Sequence, residues 1–287
     1  MDPVLPKPRR RLSKGMYILP SLFTTANLAA GYYAILQVMH GTLAEGWHFD
    51  FAAKAIGFAI LFDGLDGRIA RMTRTSSDFG RELDSLADVI TFGVAPALLA
   101  YMWGFHLLPY TMNPDLRTKA LQFGAAASFL FLVAGASRLA RFNIQVNPQP
   151  SNPGRPDRKY FVGMPIPAGA GVIAAVVHFA SGEPLVSPWT ALTWLLLVLA
   201  TGYLMVSTWR FYSFKDIHFS SRQPFRLIVI FGALFAVFWF YSRWFLFGLA
   251  LIYMLSGVLW RLQWIIRRRP SPPPPPAPAY KEASQPS

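Results

Sequence analysis

Eight stretches dominated by apolar residues recur along the chain, at about 18–39, 51–70, 85–104, 120–139, 165–181, 189–207, 226–241 and 244–263. A helix needs roughly 20 such residues to cross a hydrocarbon core. The pattern therefore predicts eight transmembrane helices, the last two joined tightly around Ser242 and Arg243. The polar positions between them alternate in character. Of 27 Lys and Arg residues, only Lys54, Arg117, Lys119 and Arg243 fall on one side of the predicted bundle; the others collect in alternate loops and at both ends. By the positive-inside rule the crowded side is cytoplasmic, and both termini lie there. A surface for nucleic acid, which a net charge of +13 would otherwise suggest, does not produce such alternation, so nucleic acid is not an expected partner.

Composition agrees with this class. The 287 residues are 53% hydrophobic and 14% charged, with a mean hydropathy of +0.33, too apolar for an ordinary soluble domain. The basic start PKPRRRLSK leads into an apolar run with no small-residue cleavage site, so the first helix is expected to remain in place. The absence of cysteine excludes disulfides, thiolate metal sites and cysteine nucleophiles, which leaves any metal to carboxylates and histidines. His40, His48, His106, His178 and His218 lie in different segments without ligand spacing and are assigned no role. Arg267 to Arg269 suit phospholipid headgroups just beyond the last helix. From Pro270 the chain carries eight prolines and is expected to be polyproline-like or disordered. The predicted organisation is a basic segment 1–17, a six-helix membrane domain 18–210, a cytoplasmic loop 211–225, a transmembrane hairpin 226–264 and a tail 265–287.

One segment breaks the apolar pattern in a way lipid would not tolerate. LFDGLDGRIARM, residues 61–72, ends the second predicted helix with two aspartates and two arginines. Asp63 and Asp66, three apart, share one helix face; Asp84 and Asp88, four apart, share another on the third helix. If the loop between them folds the two helices side by side, four carboxylates meet near the cytoplasmic surface. Such a cluster repels itself unless cations intervene, and oxygen-only ligands suit two hard divalent ions, Mg²⁺ or Mn²⁺. Gly64 and Gly67 leave the backbone beside the aspartates open to a bulky ligand, or else serve close helix packing. Arg71, one turn after Gly67, offers a planar donor fork suited to a diphosphate. Ser76, Ser77 and Gly80 either present donors to phosphate or form a simple turn. Asn27 in the first helix either faces a nucleotide or makes a hydrogen bond between helices.

DGLDGRIARMTRTSSDFGRELDSLAD, residues 63–88, resembles the signature of the CDP-alcohol phosphatidyltransferase family, DxxDGxxAR, eight residues, then GxxxDxxxD. Asp63, Asp66, Gly67, Ala70, Arg71, Gly80, Asp84 and Asp88 all match. The resemblance implies an all-α polytopic membrane bundle with a six-helix core, here extended by two C-terminal helices. It also implies a dimetal site, and transfer of a phosphatidyl group from a CDP-linked lipid to an alcohol with release of CMP. By the same resemblance Asp63, Asp66, Asp84 and Asp88 bind the metals, Asp88 also takes the proton of the acceptor hydroxyl, and Gly67, Arg71 and Ser77 contact the CDP-lipid. A homodimer is implied as well.

The acceptor must be read elsewhere. KGMYILPSLFTTANLAAG (14–31), RLARFNI (138–144) with YFVGMPIPAGAG (160–171), and LMVSTWRFYSFKD (204–216) resemble the branch of that family that makes phosphatidylserine. Serine offers a carboxylate and an ammonium, so its pocket needs a fixed cation and nearby acceptors. Arg138, Arg141, Asn143 and Lys215 fall at the cytoplasmic ends of helices and are the candidates, although helix-end positives also serve topology and anionic lipid. The expected reaction joins CDP-diacylglycerol and L-serine, in a membrane such as a prokaryotic inner membrane. Glycerol 3-phosphate, inositol phosphate and choline remain rival acceptors, choline because Phe142, Tyr160 and Phe161 offer aromatic faces. A divalent-cation transporter predicts acids at mid-membrane on several helices; here they gather at one face.

Overall fold

The computed structural model describes residues 15–73, 78–144, 160–212 and 224–266. Each predicted apolar segment coincides with a helix. Helix α1 spans Gly15–His40 and α2 spans Trp47–Thr73. The third predicted helix is a composite: α3 (Asp78–Asp88), a π-helical turn (Val89–Val94), α4 (Ala95–Tyr101) and a second π-helical turn (Met102–His106). Pro96 in the first turn of α4 has no N–H to give to an i−4 carbonyl, and the wider turn before it absorbs that loss, with Ala95 N–H donating to Ile90 O instead. Then follow α5 (Pro114–Ile144), α6 (Ile166–Phe179), α7 (Pro188–Val206) and α8 (Pro224–Ile266). The last two predicted helices are the two segments of α8, which loses helical geometry at Tyr241 (φ −129°, ψ 32°).

Among the described residues, Phe79–His106, Pro114–Asn143, Pro188–Val206 and Tyr241–Gln263 are long and apolar enough to cross a membrane, and α6 is a shorter apolar helix. Large apolar side chains such as Phe58, Phe129, Leu196, Trp244 and Ile252 face outward, as lipid requires and water would not favour. The chain is a helical integral membrane protein.

Helices α1 and α2 pack along one another, α2 packs on α6, α5 on α7, and α6 on the second segment of α8. The buried core runs through them, with Phe49, Phe92, Trp103, Phe131, Met164 and Phe211 among its largest side chains. Gly31 lets α1 approach the first π turn: a Cβ there would lie 2.9 Å from Thr91 Cα. That close approach brings the start of the third span, and Asp88 with it, against α1.

The helical bundle also carries one short antiparallel ribbon. Strand β1 (Tyr160–Val162) pairs with β2 (Arg210–Tyr212), with Phe161 opposite Phe211. Two segments singled out for the acceptor thus meet. Gly163 follows β1 at φ +74°, its N–H bonded to Trp209 O at 2.8 Å, while Met164 N–H reaches Leu204 O at 3.0 Å. A Cβ at Gly163 would sit 2.6 Å from Met205 O, so this turn needs glycine both for its backbone and for its space.

Candidate active site

Helices α2 and α3 bring their acids together as their spacing requires. Carboxylate oxygens of Asp63, Asp84 and Asp88 lie within 4.8 Å of one another, Asp88 buried and the other two partly so. Three carboxylates this close repel strongly in a low-dielectric setting, at about 4 kcal/mol per charged pair at 4 Å for an effective dielectric of 20. All donors are oxygens with no thiolate in competition, so the set fits a hard divalent cation. Asp66, Gly67 and Arg71 continue α2 beyond Asp63, but their side chains lie outside the described residues. Ser77 and Lys215 lie outside them altogether. Gly80 is partly buried in the first turn of α3, one turn before Asp84. At Gly64 an added Cβ would meet nothing within 4 Å among the described residues, so the open face beside the aspartates is not taken up by helix packing there.

Asn27 reaches the cluster from α1. Its side-chain amide donates to Asp88 Oδ1 at 3.2 Å, and its backbone carbonyl accepts from Thr91 Oγ1 at 3.1 Å. A carboxylate only accepts, so the amide nitrogen must face Asp88. The opposite atom, Asn27 Oδ1, is buried with no hydrogen-bond partner among the described residues. Asn27 therefore links helices, one of the two readings its position allowed, and the partner it holds is the most buried acid of the cluster.

The acceptor candidates gather at the end of α5. Asn143 Nδ2 donates to Ser85 Oγ at 2.8 Å, which ties α5 to α3 immediately beside Asp84. Ser85 Oγ in turn donates to Arg81 O at 3.0 Å. Arg138 lies five residues before Asn143, about 7.5 Å deeper along the helix. Its Nε is buried and has no hydrogen-bond partner among the described residues. Arg141 and Asn143 are exposed at the helix end. An arginine has five N–H donors and no acceptor, so the buried Nε–H of Arg138 is a donor that an anion could take up.

The histidines, assigned nothing from sequence, include one with a defined place. His178 at the end of α6 holds Asp50 Oδ1 through Nδ1 at 2.5 Å and Ser242 Oγ through Nε2 at 3.1 Å, while Lys54 Nζ lies 2.8 Å from Asp50 Oδ2. Asp50 precedes Asp63 by about 20 Å along α2, at the opposite end of the bundle from the carboxylate cluster. The order Asp, His, Ser is that of an acyl-transfer triad, but the adjacent turn has already spent its donors. Ser181 N–H bonds to His178 O, and Gly182 N–H to Val177 O. The arrangement is a clamp joining α2, α6 and α8. Nothing in the spacing of the sequence signalled it, because its members are 128 and 64 residues apart.

Comparison with known proteins matches this chain to a family model described as CDP-alcohol phosphatidyltransferase over residues 17–192. The chain is similar to the CDP-diacylglycerol–serine O-phosphatidyltransferase of Helicobacter pylori strain 26695, 36% identical over 225 residues that cover 76% of this chain and 81% of the relative. It is 35% identical to the protein of that name from Mycobacterium leprae, over 81% of this chain and 69% of the relative. The Bacillus subtilis protein of that name is 31% identical, over 70% of this chain and 93% of its own length. Because the family match takes in both helices that carry the aspartates as well as the end of α5 that leans on them, the chain belongs to the CDP-alcohol phosphatidyltransferase family.

Proposed function

We propose that this enzyme transfers the phosphatidyl group of CDP-diacylglycerol to the hydroxyl of L-serine, giving phosphatidylserine and CMP. The observation that carries the reading is the carboxylate cluster of Asp63, Asp84 and Asp88, with the buried Nε of Arg138 on α5 having no hydrogen-bond partner among the described residues. Three relatives named for serine as their acceptor support the choice of alcohol. Two divalent ions, Mg²⁺ or Mn²⁺, held by Asp63, Asp66, Asp84 and Asp88, would neutralise charge on the diphosphate.

The residues divide the remaining work. Asp88 takes the proton of the serine hydroxyl as its oxygen forms a bond to the phosphorus that carries diacylglycerol, and the bond from that phosphorus to the bridging oxygen breaks. The bonding pair leaves on CMP. Asn27 donates to Asp88 Oδ1 and so fixes the orientation of the carboxylate that takes the proton. Gly67, Arg71, Ser77 and Gly80 contact the diphosphate and nucleotide, while Arg138, Arg141, Asn143 and Lys215 surround the serine carboxylate. The lipid stays in its leaflet and the polar substrates enter from the cytoplasm, with both termini on that side of a prokaryotic inner membrane and a homodimer as the assembly.

The test is CMP release by purified protein with CDP-diacylglycerol and Mg²⁺ or Mn²⁺, comparing L-serine with glycerol 3-phosphate, inositol phosphate and choline. Release that requires serine supports the proposal. Release with another alcohol alone keeps the aspartate chemistry and rejects the serine pocket, and release with none rejects both.

A further inference from the structure

The turn that joins α1 to α2 gathers three side chains that the chemistry above does not use. His40 ends α1, His48 lies in the first turn of α2, and Glu45 stands between them. Their spacing along the chain suggested no ligand set, because the two histidines belong to different helices. The turn lays their imidazoles 5.6 Å apart, centroid to centroid, and inclined by only 29°. The turn itself is fixed. Gly41 N–H bonds to Gln37 O and Glu45 N–H to Thr42 Oγ1, each at 3.1 Å. Gly41 also lies so close to Phe49 that any Cβ would overlap its ring.

Both rings are turned the same way. His40 Nδ1 meets Leu36 O at 2.7 Å, and His48 Nδ1 meets Gln37 Oε1 at 2.6 Å. A carbonyl oxygen only accepts, so each Nδ1 carries the proton and each neutral ring keeps its lone pair on Nε2. A carbonyl oxygen orients metal-binding histidines in the same manner. His48 Nε2 faces Glu45 Oε2 at 3.8 Å. A zinc ion bonded to each at about 2.0–2.2 Å bridges that gap.

We propose that His40, Glu45 and His48 form a zinc site at the end of α2 opposite the carboxylate cluster. Two imidazoles and a carboxylate suit a borderline cation such as Zn²⁺, whereas the oxygen-only cluster suits Mg²⁺ or Mn²⁺. Glu45 and His48 are already placed. His40, exposed at the helix end, completes the set through Nε2 by a turn of its ring, which leaves a fourth position to water. The ion ties the end of α1 to the start of α2, the two helices that carry Asn27 and Asp63. His48 precedes Asp63 by about 22 Å along α2, so this ion is separate from any at the aspartates.

Zinc binding to the purified protein is measured by competition with a chromophoric zinc chelator, with millimolar Mg²⁺ present to hold the carboxylate cluster. The expected result is a single ion bound per chain at micromolar zinc. Binding is expected to weaken at least about 10-fold in His40→Gln and in His48→Gln, and to stay unchanged in Asp88→Asn. His40 is exposed, so His40→Gln keeps the test open should His48→Gln fail to fold. Thermal unfolding gives a second readout: zinc is expected to raise the Tm of the wild-type protein and to leave that of His40→Gln where it is. No binding at micromolar zinc, or equal binding by wild type and His40→Gln, overturns the proposal. Zinc binding lost in Asp88→Asn overturns it as well, because the ion then belongs to the carboxylates.

Discussion

Asp88 carries two demands at once. It belongs to the carboxylate cluster, and it is the member held by Asn27 from another helix. Asp88→Asn keeps the volume and removes both the charge and the basicity. CMP release is expected to fall by about 10³-fold, within the range for a lost general base, with the melting temperature of the protein little changed. Asn27→Asp is expected to be harsher than Asn27→Ala, because it replaces a donor 3.2 Å from Asp88 with a like charge. Asn27→Ala should cost on the order of 10-fold in kcat, and the KM values separate this positioning role from substrate contact, since neither should move. The aspartates were legible because an α-helix turns spacings of three and four into a shared face. The partner of Asp88 was not, since Asn27 is 61 residues away and only the close approach at Gly31 brings the two helices together.

At the scale of elements, the helices follow from length and apolarity, and the exceptions have local causes. Three-residue strands have too few positions to show a period of two, so β1 and β2 carried no pattern signal, although both are rich in aromatic or β-branched residues. The π turns flank α4, whose first turn holds Pro96, yet a proline in a span predicts a disturbance without saying what form it takes. The ribbon matters because it joins the segment after α5 to the segment after α7, and its geometry turns on Gly163. Gly163→Ala forces a Cβ into the left-handed region and within 2.6 Å of Met205 O. The cost is expected to be at least about 1–2 kcal/mol, seen as a drop of several degrees in thermal unfolding in detergent. An unchanged melting temperature would mean that the turn is not held as described.

Across the whole molecule, two polar constellations sit at opposite ends of one helical bundle and do different work. The Asp50, His178 and Ser242 clamp joins three helices far from the aspartates, and Asp50 and His178 are buried. Removing one partner of a buried hydrogen bond leaves the other unsatisfied, at about 1–3 kcal/mol. Asp50→Asn and His178→Ala are therefore expected to lower thermal stability more than Asp88→Asn does, while the surviving folded protein keeps the wild-type preference among acceptor alcohols. The aspartate cluster should respond to chemistry instead. Chelation with EDTA is expected to stop CMP release, and either Mg²⁺ or Mn²⁺ to restore it, without unfolding the protein. Activity that survives chelation would detach the carboxylates from any metal role.

Displacement at phosphorus by the hydroxyl of serine can be followed with an isotope label. Purified protein is given CDP-diacylglycerol and L-serine labelled with ¹⁸O in its hydroxyl, and the lipid product is analysed by mass spectrometry. Phosphatidylserine that retains the ¹⁸O is expected, because the serine oxygen forms the new bond to phosphorus. A lipid product without that label, or CMP formed with no serine-containing lipid, would contradict it.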